Sequence, residues 1–118
     1  MTETEIREST ATAPWPSPEQ AYEHAPDILS EIGWTVRAVT DAIDMPYDSG
    51  DVREYWLRKA ALLDRIALRA PGGRDSTLDA NAAALYLVDT DHARTPATDT
   101  DPRGYVRHQY ARWSATNS

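Results

Sequence analysis

The segment EYWLRKAALLDRIALRA, residues 54 to 70, has helical spacing but apolar residues on two sides, and that double face limits the folds open to the chain. Projected at about 100° per residue, a helix over 52–70 carries a broad stripe of Val52, Tyr55, Trp56, Ala60, Leu62, Leu63, Ile66 and Ala67. A second ridge, Leu57, Ala61 and Leu68, lies almost opposite, with Arg53 and Asp64 along one edge and Glu54, Arg58, Arg65 and Arg69 along the other. One neighbouring helix can cover only one of the two, so a second neighbour is required.

The sequence offers two neighbours. Between Pro26 and Ile43 the apolar residues Ile28, Leu29, Ile32, Val36, Val39 and Ile43 fall within an arc of about 100°, which makes a one-sided amphipathic helix. Its Ile28, Ile32, Val36, Val39 and Ile43 are expected to meet the broad stripe, forming a helical hairpin. A weaker capping box at Ser76-Thr77-Leu78-Asp79 opens a third helix to about Asp91, whose Leu78, Ala82, Leu85 and Tyr86 can cover the ridge. The alternative cover for Leu57, Ala61 and Leu68 is a second copy of the chain or a partner helix, because small domains are often stabilised by association. Trp34 projects away from its helix's apolar arc toward Ser30, Arg37 and Asp41. It is expected either to pack on Ala21 or Tyr22 or to anchor an interface.

The remaining segments are punctuation and tails. Residues 1–16, MTETEIRESTATAPWP, are polar and aperiodic, the composition of a disordered tail. Ser17-Pro18-Glu19-Gln20 has the spacing of a capping box and starts a short helix to about His24. The turn at 44–50 and Pro71-Gly72-Gly73 separate the long helices. Residues 17–91 therefore form the helical domain, 92–100 an acidic linker, and 101–118 a basic aromatic segment whose short helix starts at Asp101-Pro102 and reaches about Trp113. Gly104 weakens that last helix by about 1 kcal/mol relative to Ala. With no strand-like alternation, the fold class is all-α: a helical hairpin plus a third helix in a small bundle, a disordered N-terminus and a short C-terminal helix.

Charge and composition exclude several kinds of function. The net charge of −7 argues against binding nucleic acid by neutralising phosphates. Residues 102–118 are the exception, since Arg103, Arg107 and Arg112 stand there without an acid. The arginines are interleaved with aromatics, so Arg107, Tyr110 and Trp113 are candidates for docking on the chain's own acidic surface, on a protein partner, or on nucleic acid. The chain has no cysteine, which removes disulfides, thiol catalysis and Cys-ligated zinc. No apolar run approaches the length of a membrane span, and the first residues lack the apolar segment of a signal peptide. The expected setting is the cytoplasm.

No catalytic motif emerges. Asp89-Thr90-Asp91-His92 has metal-ligating residue types, but neither the Gly at position 6 nor the Glu at position 12 of a calcium loop follows. Pro71-Gly72-Gly73-Arg74-Asp75 lacks the Gly-Lys-Ser/Thr of a phosphate loop. The helix 77–91 contains no Arg or Lys, so it is not a DNA-recognition helix. No metal, cofactor or catalytic residue is assigned.

YWLRKAALLDRIAL, residues 55–68, together with DPRGYVRHQYARW, residues 101–113, resembles small helical proteins of high-GC actinobacteria such as Streptomyces. The resemblance implies a small, helical, intracellular protein and no activity, cofactor or binding residue. The expectation is a non-catalytic, cytoplasmic helical interaction or regulatory protein that self-associates or binds a protein partner. Its candidate contacts are Leu57, Ala61, Leu68 and Trp34, and separately Arg107, Tyr110 and Trp113. The alternatives are an accessory nucleic-acid-associated protein acting through the C-terminal arginines, and an enzyme of a kind the motifs do not reveal.

Overall fold

The structure, a computed structural model, describes residues 15–43, 49–69 and 73–117. Among the described residues it is all-α, with helices α1 (Pro18–Ala21), α2 (Ile28–Ile43), α3 (Ser49–Arg69), α4 (Arg74–Thr90), α5 (Pro96–Thr100) and α6 (Pro102–Asn117). The tail over 1–14, the turn over 44–48 and the Pro71-Gly72 stop lie outside the described residues.

Local chemistry sets most of the boundaries. The Ser17 hydroxyl accepts from the Gln20 amide at 3.2 Å and the Gln20 side chain accepts from the Ser17 amide at 3.0 Å, closing the expected box. Asp27 Oδ1 accepts from the Ser30 amide at 2.8 Å at the start of α2, and Asp101 Oδ1 from the Gly104 amide at 3.0 Å at the start of α6. α4 instead begins at Arg74, before the expected Ser76 cap, with Gly73 as its N-cap. It ends in a Schellman arrangement: the Ala93 amide bonds Val88 O at 2.9 Å and the His92 amide bonds Asp89 O at 3.1 Å. His92 carries the positive φ of 55° there, where glycine is the usual choice.

α3 is the centre of the bundle. Leu57, Ala60 and Ala61 pack with Ala84, Leu87 and Val88 of α4 and with Tyr105, Val106 and Tyr110 of α6. The two-sided helix thus gains its second neighbour within the chain. Leu57 and Ala61 are 0% and 1% exposed, so they are closed to a partner, and only Leu68 of that ridge reaches the surface. α4 covers the ridge, but with Ala80, Ala84, Leu87 and Val88. Leu78, Ala82 and Leu85, expected to pack there, face outward, and Tyr86, half-exposed, meets Trp56 of α3 at a ring-centroid distance of 4.5 Å. Alanines at 60, 61, 80 and 84 let the two backbones approach closely, and leucines would hold them apart.

The C-terminal segment is part of the core. α6 is longer than expected, and Val106 and Tyr110 are almost fully buried. The expected linker at 92–100 contains α5, whose Thr95 and Thr98 cap each other and whose Thr98 is buried. Trp15, assigned from sequence to the tail, stands edge-on to Tyr105 with ring centroids 6.0 Å apart, and its ring lies against Gly104. A Cβ at residue 104 would collide with that ring and crowd the Asp101 carboxylate, which explains a glycine inside a helix.

Gly104→Ala should therefore destabilise the chain by about 1–2 kcal/mol, overpacking outweighing the gain in helix propensity. In a Trp15→Ala background the cost should shrink, leaving the crowding of the Asp101 carboxylate, whose Oδ2 lies 2.8 Å from that Cβ position. Urea unfolding of the four proteins measures the coupling between the two positions.

Candidate functional site

Helix α2 lies on α3 by an unexpected face. Glu31, only 2% exposed, accepts two hydrogen bonds from Arg58 of α3, from Nε to Oε1 at 3.2 Å and from Nη2 to Oε2 at 2.6 Å. A third bond from Arg58 Nη1 reaches Glu54 Oε2 at 2.9 Å. The guanidinium carbon lies 3.6 Å from the centroid of the Trp34 ring and 5.0 Å from that of Trp113. Burial works against the Arg58 charge, but the bonds to Glu31 and Glu54 outweigh it and raise its pKa further. Such bidentate pairs are directional as well as strong.

This joint fixes the rotation of α2 about its own axis. Glu31 and Trp34 point at α3, and Thr35 and Ala38 are half-buried on the same side. The apolar arc is turned about 120° away from that side by helix geometry. Leu29 is 79% exposed, Ile32 39%, Val36 61% and Val39 46%. The expected contact of Ile32, Val36 and Val39 with the broad stripe of α3 is therefore corrected: a buried ion pair and a stacked indole hold the helices together, and the aliphatic residues face outward. Ile28 is half-buried, and the side chain of Ile43 lies outside the described set. Trp34 neither packs on Ala21 nor stands free as an interface anchor, because its ring stacks on Tyr55 with centroids 6.5 Å apart and under Arg58.

The other charged cluster holds α6. Asp64 of α3 has no exposure. It accepts from Arg107 Nε at 2.8 Å and Nη2 at 2.9 Å, from Arg103 Nε at 2.5 Å and from the Tyr22 hydroxyl at 2.6 Å. Burial alone would raise the carboxyl pKa, but the bonds from Arg107, Tyr22 and Arg103 and the charge of Arg107 hold it below the usual range. The Tyr22 hydroxyl is pushed far up by burial and by the adjacent carboxylate. Asp91 repeats the pattern, accepting from Arg53 Nη2 at 2.7 Å and from Tyr105 at 2.7 Å. Burial and that carboxylate push the Tyr105 hydroxyl up to about 12.

Arg107, Tyr110 and Trp113 are thus brought together on the chain's own core. Arg107 binds Asp64, Tyr110 meets Tyr22 and Trp113 at centroid distances of 5.3 Å each, and Trp113 flanks Arg58. Two of the three C-terminal arginines are engaged in the core, leaving Arg112 exposed. The sequence reading missed Glu31, Arg58 and Asp64. A signal existed for Asp64, an acid bordering an apolar ridge in a chain whose last segment carries only positive charge.

The Asp89–His92 cluster is also accounted for. Asp89 pairs with Arg94 and Asp91 with Arg53, and no three His, Asp or Glu among the described residues form a metal-holding group. An open groove of about 400 Å³ runs between α4 and the α5–α6 corner, lined by polar groups including Asn81, Asp99, Asp101 and Arg103. No described helix is long and apolar enough to cross a membrane. No family model, curated protein or solved structure matches this chain.

The buried carboxylates make stability acid-sensitive. Because the folded pKa values of Asp64 and Asp91 lie below their unfolded values, their contribution is complete above about pH 4 and is lost as pH falls through the folded values. Asp64→Asn should cost about 3–5 kcal/mol at pH 7, since two arginines lose their buried partner. It should also flatten the acid limb of the profile, which urea unfolding from pH 7 to pH 2 measures.

Proposed function

We propose that the protein is a non-catalytic helical interaction protein whose contact surface is the outer face of α2. The observation that carries this reading is the exposure of Leu29, Ile32, Val36 and Val39 on one side of a well-formed helix. Contiguous apolar surface of this kind on a small protein marks a docking site. The reading replaces the Leu57, Ala61 and Leu68 ridge with α2 as the contact. A cytoplasmic setting belongs to the proposal and suits a chain without cysteine. Its non-catalytic character is supported by the engagement of the buried acids Glu31 and Asp64 with arginines. A nucleic-acid contact through the C-terminal arginines draws less support, because Arg103 and Arg107 bind Asp64.

A photoreactive benzophenone side chain placed at Val36 tests the surface in cells expressing the full chain. The expected result is a discrete, light-dependent adduct to a protein. The same group at Asp79, exposed on α4, should give none. Absence of an adduct from position 36 above that control overturns the reading.

A further inference from the structure

The occupant of the α2 face can be identified from its spacing and its borders. Leu29, Ile32, Val36 and Val39 are separated by 3, 4 and 3 residues, and Ile43 follows at 4 in the sequence. That alternation fits the a/d positions along which helices pair. An ordinary surface helix carries an arc of the same width, about 100°, but directs it at its own core. Here the seam points away from the core because Glu31 and Trp34 occupy the side that meets α3.

We propose that this seam pairs with the same seam of a second copy of the chain, giving a two-fold dimer through α2. The inference rests on the reading of α2 as the contact surface and names its partner. Charge along the seam's borders permits a second copy. Residues flanking a seam set partner choice when they carry charge, and those flanking this one are Ile28, Gly33, Thr35, Thr40 and Ala42. None of these positions is itself charged, and the charge nearest them is the Arg37 guanidinium, which lies over Gly33, so two copies of a chain with net charge −7 bring no carboxylates together along the seam.

Size is consistent with such a pair. At these exposures the four aliphatic side chains offer on the order of 400 Å² per copy, within the range of a monomer's largest apolar patch. Pairing two copies removes at most about twice that, and burial of Gly33 and Thr40 carries the total toward the roughly 1,000 Å² of a specific interface. Residues 1–14 contain one branched aliphatic, Ile6, too few to fill four seam positions. A closed two-fold pair is also the commonest arrangement of soluble assemblies.

Light scattering on a size-exclusion column, over a hundredfold range of concentration, tests the proposal with the full chain. The expected mass is twice that of the chain at the upper end, returning toward one chain on dilution. Val36→Glu should weaken the dimer by on the order of a hundredfold, because each copy then places a charge in the seam. Its helical circular dichroism should be unchanged, since Val36 is exposed in the monomer. Leu29→Glu is the second variant and should act in the same direction. Leu78→Glu, on the exposed side of α4, should leave the mass unchanged.

A monomer at every concentration overturns the second copy as partner, as does a dimer indifferent to both seam variants. If the mass is that of a monomer while position 36 still forms an adduct to another protein, the α2 surface stands and only its partner is wrong. A monomer with no adduct removes both.

Discussion

Arg58 is the joint on which the arrangement of the outer helix depends. Its guanidinium receives a carboxylate from α2, a second from its own helix, and the faces of two indoles, one from α2 and one from α6. A hydrophobic contact tolerates rotation of one helix over another, whereas a bidentate Arg–carboxylate pair does not. The direction in which α2 points its aliphatic residues follows from that pair.

The core is accordingly mixed. Aliphatic and alanine packing joins α3 to α4, with close backbones and few large side chains. Against α6 the same apolar packing is reinforced by charge, through Asp64 to Arg103, Arg107 and Tyr22, and α2 is joined to α3 by charge through Arg58. Buried ion pairs contribute less net stability than apolar contacts of similar size, but breaking one partner is severe. They also fix geometry. In this chain that geometry leaves at the surface the aliphatic residues that would otherwise join α2 to α3.

Helix positions were largely legible in the sequence, since Ser17, Gln20, Asp101 and Pro102 act within a single turn of chain. The need for two neighbours around α3 was legible for the same reason: it follows from periodicity alone. What periodicity cannot supply is rotation. It assigns every aliphatic stripe to the inside, so it placed Val36 and Val39 in the core and left Glu31 outside, when the buried partner of Glu31 lies 27 residues away. It likewise preferred Leu78 and Leu85 to Ala80 and Ala84, although small residues permit the closer approach. Gly104 read as a weak point in a helix because its reason, the Trp15 ring, lies far off in sequence. The C-terminal arginines offered three destinations, and the choice was made by a carboxylate that only the folded chain brings to them.

The proposed dimer requires that α2 of one copy face α2 of the other. The chain has no cysteine, so one introduced by Arg37→Cys, exposed beside the middle of the seam, can carry a single nitroxide label. Electron–electron dipolar spectroscopy would then measure the separation of labels between copies. Because residue 37 lies near the midpoint of α2, pairing in either direction predicts a narrow distribution centred below about 30 Å, on the scale of two packed helices and their labels. A decay with no intermolecular distance, or one centred beyond about 45 Å, more than the packed-helix spacing allows, would contradict it.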